Sequence, residues 1–373
     1  MNPSARHDQL RVVFWETTAG CNLRCIHCRR IDVADTMMCD DLSTAECLDL
    51  VDQVREAGAG ILVLSGGEPL IRPDIFEIAR HGADAGLIMA LATNGVLVTP
   101  ELAARIRDNG IARVSVSLDG GNAETHDKFR ALPGSFESAL AGLRNLRDVG
   151  VATQINTTLA RHNDGQLRAI YDLALSVGAI ALHTFMLVPV GCGVQIAESG
   201  VLSATRYDEI LNEIYDLSHE KKIEIRPTCS PHYQRVQRER ARGEGRHVSV
   251  EVDGPIVMTK GCLAGQTICF VSHKGEVFPC GYLPVEAGNV RRQRLATIWH
   301  DSQLFATLRQ PEGLDGKCGA CEFRRVCMGC RARAYYDRGD VMGAEPFCAY
   351  EPDVGARHDS DPRLVPLGRT RGA

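Results

Sequence analysis

The feature that most limits what this chain can become is an alternation that runs to Glu220. Short runs rich in β-branched residues are each followed by a stretch of helical spacing. The strand-like runs are Arg11 to Glu16, Ile61 to Leu64, Leu87 to Ala92, Val114 to Leu118, Val151 to Thr158 and Ile180 to Leu187. The helical stretches are Ser43 to Ala57, Asp74 to Ala85, Pro100 to Asp108, Ser135 to Val149, Asp164 to Val177 and Ser203 to Glu220. Ser43 with Glu46 forms a capping box, and Gly150 stops the fourth helix. Such alternation implies parallel strands joined by right-handed crossovers. It predicts an α/β fold, a partial (β/α)6 barrel over residues 10–225. Barrel chemistry sits on the loops at the C-terminal ends of the strands. Four notable segments fall there: Cys21 to Cys28, Ser65 to Leu70, Thr93 to Gly95 and Ser117 to Gly120.

Beyond residue 225 the texture changes. Residues 226–253 read as a charged linker or helix, with Arg235, Arg238, Arg240, Arg242 and Arg246 among Glu239 and Glu244. Residues 254–352 are rich in Gly, Cys and Pro with little periodicity, which predicts a small cysteine-rich domain organised by metal. The polar tail, 353–373, is expected to be disordered. The formal net charge of −5 argues against a nucleic-acid partner. No apolar run approaches the roughly 20 residues needed to cross a bilayer. Met1 to Gln9 lacks the apolar core of a signal peptide. The expectation is a cytoplasmic protein.

The chain carries 15 cysteines. In a long, unexported chain, bunched cysteines bind metal more often than they form disulfides. Cys21-x3-Cys25-x2-Cys28 places three thiols on one short loop. They suit three corners of a cubane iron–sulfur cluster, or a zinc site closed by a fourth ligand such as His27. Further along come Cys262, Cys280, the run Cys318-x2-Cys321-x5-Cys327-x2-Cys330, and Cys348. Structural zinc knuckles are the other reading of these. Cys39 and Cys47 read as buried packing residues. Cys229 stands apart in Thr228-Cys229-Ser230-Pro231-His232-Tyr233.

The three-cysteine loop after the first strand resembles that of the radical S-adenosylmethionine (SAM) enzymes, and the resemblance covers nearly the whole chain. It implies a 4Fe–4S cluster on Cys21, Cys25 and Cys28 whose open iron binds SAM. Gly66-Gly67-Glu68-Pro69 resembles the loop that takes the SAM amino group; its glycines let backbone approach a ligand. Ser117-Leu118-Asp119-Gly120 resembles the strand end that contacts ribose and carboxylate. Arg130 matches an arginine that reaches the SAM carboxylate. Thr93, Asn94 and Asn156 also lie at strand ends and are expected to line the pocket or to act as local caps.

The later cysteines resemble the SPASM domain, which implies one or two auxiliary 4Fe–4S clusters. By that resemblance Cys318, Cys321, Cys327 and Cys348 hold the outer cluster, and Cys262, Cys280 and Cys330 the inner one. Two departures stand out. The last spacing of the run is two residues instead of three. The cysteine that should precede Cys262 is absent from 255–260. The inner cluster is then left with an open iron, or draws on Cys229 or Cys269.

Trp15 to Thr18, Thr228 to Tyr233, Phe278 to Tyr282 and Gly329 to Tyr335 are similar to segments of the heme synthases of the siroheme-dependent pathway. That resemblance implies oxidative decarboxylation of two propionates of iron-coproporphyrin III. It implies a tetrapyrrole substrate and a low-potential ferredoxin or flavodoxin as electron donor. Gly281 replaces the acidic residue of the peptide-modifying sulfatase maturases. Arg235, Arg238, Arg331 and Arg333 are candidate partners for substrate carboxylates, and His232 or Cys229 for the porphyrin iron. The alternatives are a radical SAM maturase acting on a heme d1-type tetrapyrrole, a peptide or a metal cofactor, and a non-catalytic iron–sulfur electron carrier.

Overall fold

The computed structural model describes residues 9–29 and 35–352. The first eight residues and the tail expected to be disordered lie outside the described residues. The alternation folds as parallel strands: β1 (Val12–Glu16), β2 (Ile61–Ser65), β3 (Ile88–Thr93), β4 (Ile111–Ser117), β5 (Ala152–Leu159) and β6 (Ala181–Met186). Between them lie α1 (Thr44–Glu56), α2 (Ile75–Asp84), α3 (Pro100–Asp108), α4 (Ala123–Arg130), α5 (Ser135–Asp148) and α6 (Leu167–Ser176). The capping box forms, with the Ser43 and Glu46 side chains each bonding the other's backbone N–H.

A seventh parallel strand, β7 (Glu224–Thr228), follows the helix Ala204–His219 and pairs with β6. Its sequence hides it, because Pro227 lacks an amide hydrogen. The structure reconciles the two by placing β7 at the sheet edge, where no further strand needs that donor. It also spans position 225, where the barrel was expected to end. The other unexpected element, α4, is short and charged, and only three of its eight residues are buried.

The cysteine-rich segment joins the same sheet. Its strand β8 (Ile268–Val271) runs parallel to β1, with Val13 opposite Cys269. Antiparallel β9 (Glu276–Phe278) and β10 (Gly288–Asn289) extend it, giving the order β10-β9-β8-β1-β2-β3-β4-β5-β6-β7. The sheet is thus an open, partial barrel with β7 and β10 at its edges. Contacts with α1 weld the segment on. Arg294 pairs with Asp49 at 2.8 Å, and the Leu295 N–H donates to Gln53 Oε1 at 2.9 Å. No helix among the described residues is long and apolar enough to cross a membrane.

Each strand is two-faced. Val13, Trp15, Leu62, Leu64, Met89, Leu91, Val114 and Val116 are fully buried against the helices in the main core. Strand alternation turns their neighbours to the concave face. There Phe14, Val63, Ala90, Ser115, Ser117, Asn156, His183 and Phe185 are partly accessible. Ser117, Asn156, His183 and Arg226 share one cross-strand row over β4 to β7.

Candidate active site

The three-cysteine loop leaves the C-terminal end of β1. Burial pushes the Cys21 thiol up to about 12, and burial raises Cys25 as well. Donors nevertheless face the sulfurs. The Leu23 N–H points at Cys21 Sγ from 3.4 Å, and Arg130 Nη1 at Cys25 Sγ from 3.8 Å. Buried thiols provided with donors are the groups a metal converts to thiolates. Among the described residues no three His, Cys, Asp or Glu side chains converge at single-ion distance, as a closed zinc site requires. His27 stacks on Phe129, with ring centroids 4.1 Å apart, holds its Nε2 3.6 Å from Asp119 Oδ2, and burial lowers it to about 3.

The glycine loop after β2 packs against this one. A Cβ on Gly67 would stand 2.0 Å from the Gly20 carbonyl oxygen, and one on Gly66 2.8 Å from that of Thr18. The two glycines therefore serve the crossing of two backbones, a different use from the ligand approach expected of them. The Gly67 and Glu68 N–H groups donate to Thr18 O and Gly20 O at 2.9 and 2.8 Å. Pro69 opens the short 3-10 turn that follows.

Glu68 is fully buried. Its carboxylate accepts from Thr93 Oγ1 at 2.8 Å, Leu70 N at 3.2 Å and Asn94 N at 2.8 Å. Asn94 Nδ2 in turn donates to Asn22 Oδ1, within the cysteine loop, at 2.7 Å. Burial outweighs these donors and lifts Glu68 to about 7. Three of its roughly four acceptor positions are used. A carboxylate this short of positive charge suits an incoming ammonium.

Asp119, at the end of β4, anchors the opposite side. Burial raises its pKa, but Arg130 and His27 more than offset this and hold it below the usual range. Arg130 Nη2 lies 2.6 Å from Asp119 Oδ2, and the Thr158 N–H donates to Oδ1 at 2.7 Å. The Asp119 N–H donates to His126 Nδ1 at 3.0 Å. Arg130 thus joins Asp119 to Cys25, and its buried Nε has no hydrogen-bond partner. Ser117 and Asn156 stand side by side in the concave row, Asn156 Oδ1 accepting from Gln154. His27, His126, Phe129 and Asn163 were not singled out from sequence as pocket residues. Asn163 Nδ2 donates to the Asp119 carbonyl at 2.9 Å. The one signal for His27, His126 and Phe129 is proximity in sequence to the cysteine and Asp119 motifs; Asn163 lies 44 residues from Asp119 and had none.

The later cysteines fall into two groups. Cys318, Cys321, Cys327 and Cys348 line one cavity together with Phe323, Met328 and Tyr350. Backbone N–H groups of Glu345 and Gly329 point at Cys318 and Cys327 Sγ from 3.3 and 3.5 Å. Beside Cys327 lies Arg238, whose buried Nε and Nη2 have no hydrogen-bond partner. Such a site, four thiols with unsatisfied cationic donors, fits an anionic thiolate cluster. The second group, Cys262, Cys280 and Cys330, packs in one apolar cluster with Leu283, Met328 and Tyr282.

Several sequence expectations are corrected here. Arg333 is fully buried and donates from Nε to Glu345 Oε1 at 2.9 Å. Arg331 donates to the Val341 and Gly343 carbonyls, and Arg238 to Gln234. Arg235 pairs with Asp208 and Glu239. Arg235, Arg331 and Arg333 are held by internal partners, whereas Arg238 bonds Gln234 through Nη1 alone and keeps its buried Nε and Nη2 without hydrogen-bond partners. His232 faces Glu345 at 3.8 Å beside the outer cysteines. Cys269 lies inside the barrel core, away from both groups, and Cys39 is exposed rather than packed. Cys47 is buried as expected.

The fold and motifs agree with comparison to known proteins. Residues 15–174 match the radical SAM superfamily, and residues 262–322 match an iron–sulfur cluster-binding domain. A protein of Methanosarcina barkeri named AdoMet-dependent heme synthase is 50% identical over 342 residues, which cover 92% of this chain and 97% of that one. The AdoMet-dependent heme synthase of Oleidesulfovibrio alaskensis is 43% identical over 92% of this chain and 88% of its own. The crystal structure of Streptococcus suis SuiB bound to precursor peptide SuiA shares the fold, with a TM-score of 0.72 at 14% identity, over 93% of this chain and 78% of that one. The chain belongs to the AdoMet-dependent heme synthases, radical SAM enzymes that combine a SAM-binding 4Fe–4S cluster with auxiliary iron–sulfur clusters.

Proposed function

We propose that this enzyme makes heme b by oxidative decarboxylation of two propionates of iron-coproporphyrin III to vinyl groups. With the clusters and SAM bound, reductive cleavage of SAM would supply a 5′-deoxyadenosyl radical to take one hydrogen atom from a propionate β-carbon, giving 5′-deoxyadenosine, and loss of CO2 would leave a vinyl group and one electron for an auxiliary cluster. In this reading Cys21, Cys25 and Cys28 hold the SAM cluster. Glu68 takes the SAM ammonium. Arg130, steadied by Asp119, takes its carboxylate, and Gly66, Gly67, Pro69, Thr93 and Asn94 fix the loops around it. Ser117 and Asn156 face the ribose. Cys318, Cys321, Cys327 and Cys348 hold the outer cluster, and Cys262, Cys280 and Cys330 belong to the inner one.

The observation that carries the reading is the position of Tyr282. It packs with Cys280 in the apolar cluster of the inner cysteines, and Arg29 and Asp119 are among the charged groups that act on its hydroxyl. A substrate bound near Tyr282 would have both the radical source and an electron acceptor close by. The concave face offers Phe14 and Phe185 to a flat ring. Its polar row ends at Arg226, a half-exposed guanidinium paired with Glu224 at 3.3 Å, which we assign to a propionate that would take that carboxylate's place. A low-potential ferredoxin or flavodoxin is the electron donor that this chemistry asks for. Unbridged thiols and reducible clusters suit the reducing cytoplasm.

Alanine variants test the division of labour. Cys21→Ala, Cys25→Ala or Cys28→Ala should abolish 5′-deoxyadenosine formation. Cys318→Ala or Cys348→Ala should preserve uncoupled SAM cleavage while porphyrin conversion falls. Surviving SAM cleavage in the first set would sink the assignment.

A further inference from the structure

The inner cysteine group has three members by motif, yet the fold brings a fourth thiol to it from the barrel. Cys229 follows directly on β7. It packs in the same apolar cluster as Cys262, Cys280 and Cys330, which Cys318 of the outer group also borders, and Cys330, Cys280 and Cys262 are the cysteines whose charges act on its thiol. The loop that carries it is jammed against the Cys262 loop. A Cβ on Gly261 would stand 2.7 Å from Pro231 Cα and equally close to the Pro231 and Cys327 carbonyl oxygens.

The backbone at Cys229 is held in an unusual way. Its φ is +54°, a left-handed conformation that is costly for a residue with a Cβ. Two donors pin its carbonyl there: Tyr207 Oη from 3.0 Å and Arg333 Nη2 from 2.9 Å. Both belong to a buried network, because Arg333 also donates to Tyr207 Oη at 3.0 Å and pairs with Glu345. The Glu345 carboxylate accepts from the N–H of Cys330 at 2.7 Å. One network therefore fixes the backbone of Cys229 and of Cys330 together. Strain held by dedicated partners next to a thiol cluster is the mark of a functional position.

We propose that Cys229 supplies the fourth thiolate of the inner auxiliary cluster. This rests on the auxiliary-cluster reading above and deepens it. With four protein thiolates, that cluster has no iron left open to a substrate carboxylate or other small ligand. Bound there, the cluster would supply an electron acceptor that does not ligate the substrate. The last barrel strand, not the cysteine-rich segment, completes the site, which accounts for the missing cysteine at 255–260.

The test uses reconstituted full-length enzyme with excess SAM capping the open iron of the radical cluster. Iron and sulfide content and the electron paramagnetic resonance of the reduced protein are read with and without cyanide. Wild type should hold about twelve irons per chain, three cubane clusters, with auxiliary signals unmoved by cyanide. Cys229→Ala should lose about four irons, or keep them with one auxiliary signal now shifted by cyanide. Cys269→Ala, which removes a core thiol of the same size, should match wild type and so separates ligation from packing. A wild-type auxiliary signal that already moves with cyanide would overturn the proposal. So would Cys229→Ala protein with unchanged iron and spectra. A wild type that never exceeds about four irons would instead refute the auxiliary-cluster reading as a whole.

Discussion

Replacing Arg333 with Met should be among the most damaging single changes outside the cysteines. Arg333 and Glu345 are both completely buried and meet at 2.9 Å. Removing one member of such a pair leaves the other as a buried, uncompensated charge, at a cost of about 3–5 kcal/mol. The same change strips a donor from the Cys229 carbonyl and from Tyr207 Oη, which adds about 1–3 kcal/mol for a stranded acceptor. Burial raises the Glu345 pKa, and Arg333 is the first of the groups that more than offset it. Without Arg333 the carboxyl should therefore take up a proton, which softens the loss toward the lower end of the range. The assay is anaerobic urea denaturation of cluster-loaded enzyme by circular dichroism, for Arg333→Met, Glu345→Gln and the double variant. Each single change should cost at least about 3 kcal/mol, and the double should cost clearly less than their sum. An Arg333→Met protein within about 0.5 kcal/mol of wild type would refute the reasoning, since that is the range of an ordinary surface change.

The remaining predictions concern the SAM and substrate sites. Gly67→Ala must displace one of two crossing backbones, because its Cβ would sit 2.0 Å from the Gly20 oxygen; SAM-dependent 5′-deoxyadenosine formation should fall at least about tenfold, and wild-type activity would contradict the packing account. Glu68 holds its proton to about 7 because it is buried, whereas an ammonium ligand needs the carboxylate. SAM affinity should therefore rise about tenfold from about pH 6 to about pH 8 in calorimetry, and the dependence should vanish in Glu68→Gln. A flat profile in the wild type would show that Glu68 does not meet a cation. Arg226→Met should raise the KM for the porphyrin while substrate-free SAM cleavage is unchanged; an unaltered KM would remove Arg226 from the substrate face.

Much of the fold was legible because strand and helix periods differ so sharply over the first half. Six strands announced themselves through β-branched runs. The seventh did not, since Glu-Ile-Arg-Pro-Thr carries a proline that only an edge strand tolerates. The pairing of β8 with β1 joins positions more than 250 residues apart, and nothing local encodes it. The capping box at Ser43 was readable from spacing alone, whereas the spacing of Cys21, Cys25 and Cys28 by itself left zinc open beside an iron–sulfur cluster. The arginines were misread for an instructive reason. They were expected to meet substrate carboxylates, but Arg333 meets Glu345 twelve residues on, and Arg235 meets Asp208 on another helix as well as Glu239 on its own. The glycines of the Gly66-Gly67 loop were read correctly as sites of close approach, but what approaches is the Thr18 to Gly20 backbone. Sequence offered Cys229 and Cys269 alike as a fourth ligand of the inner group and could not choose between them, because distance along the chain says nothing of neighbourhood.

The central claim is the substrate and what is done to it. The direct measurement is an anaerobic reaction of reconstituted enzyme with dithionite, SAM and iron-coproporphyrin III, followed by mass spectrometry of the porphyrin and of 5′-deoxyadenosine. The porphyrin should lose two carboxyl groups stepwise through a singly decarboxylated intermediate, with 5′-deoxyadenosine formed in step. Formation of 5′-deoxyadenosine with the porphyrin mass unchanged would contradict the central claim.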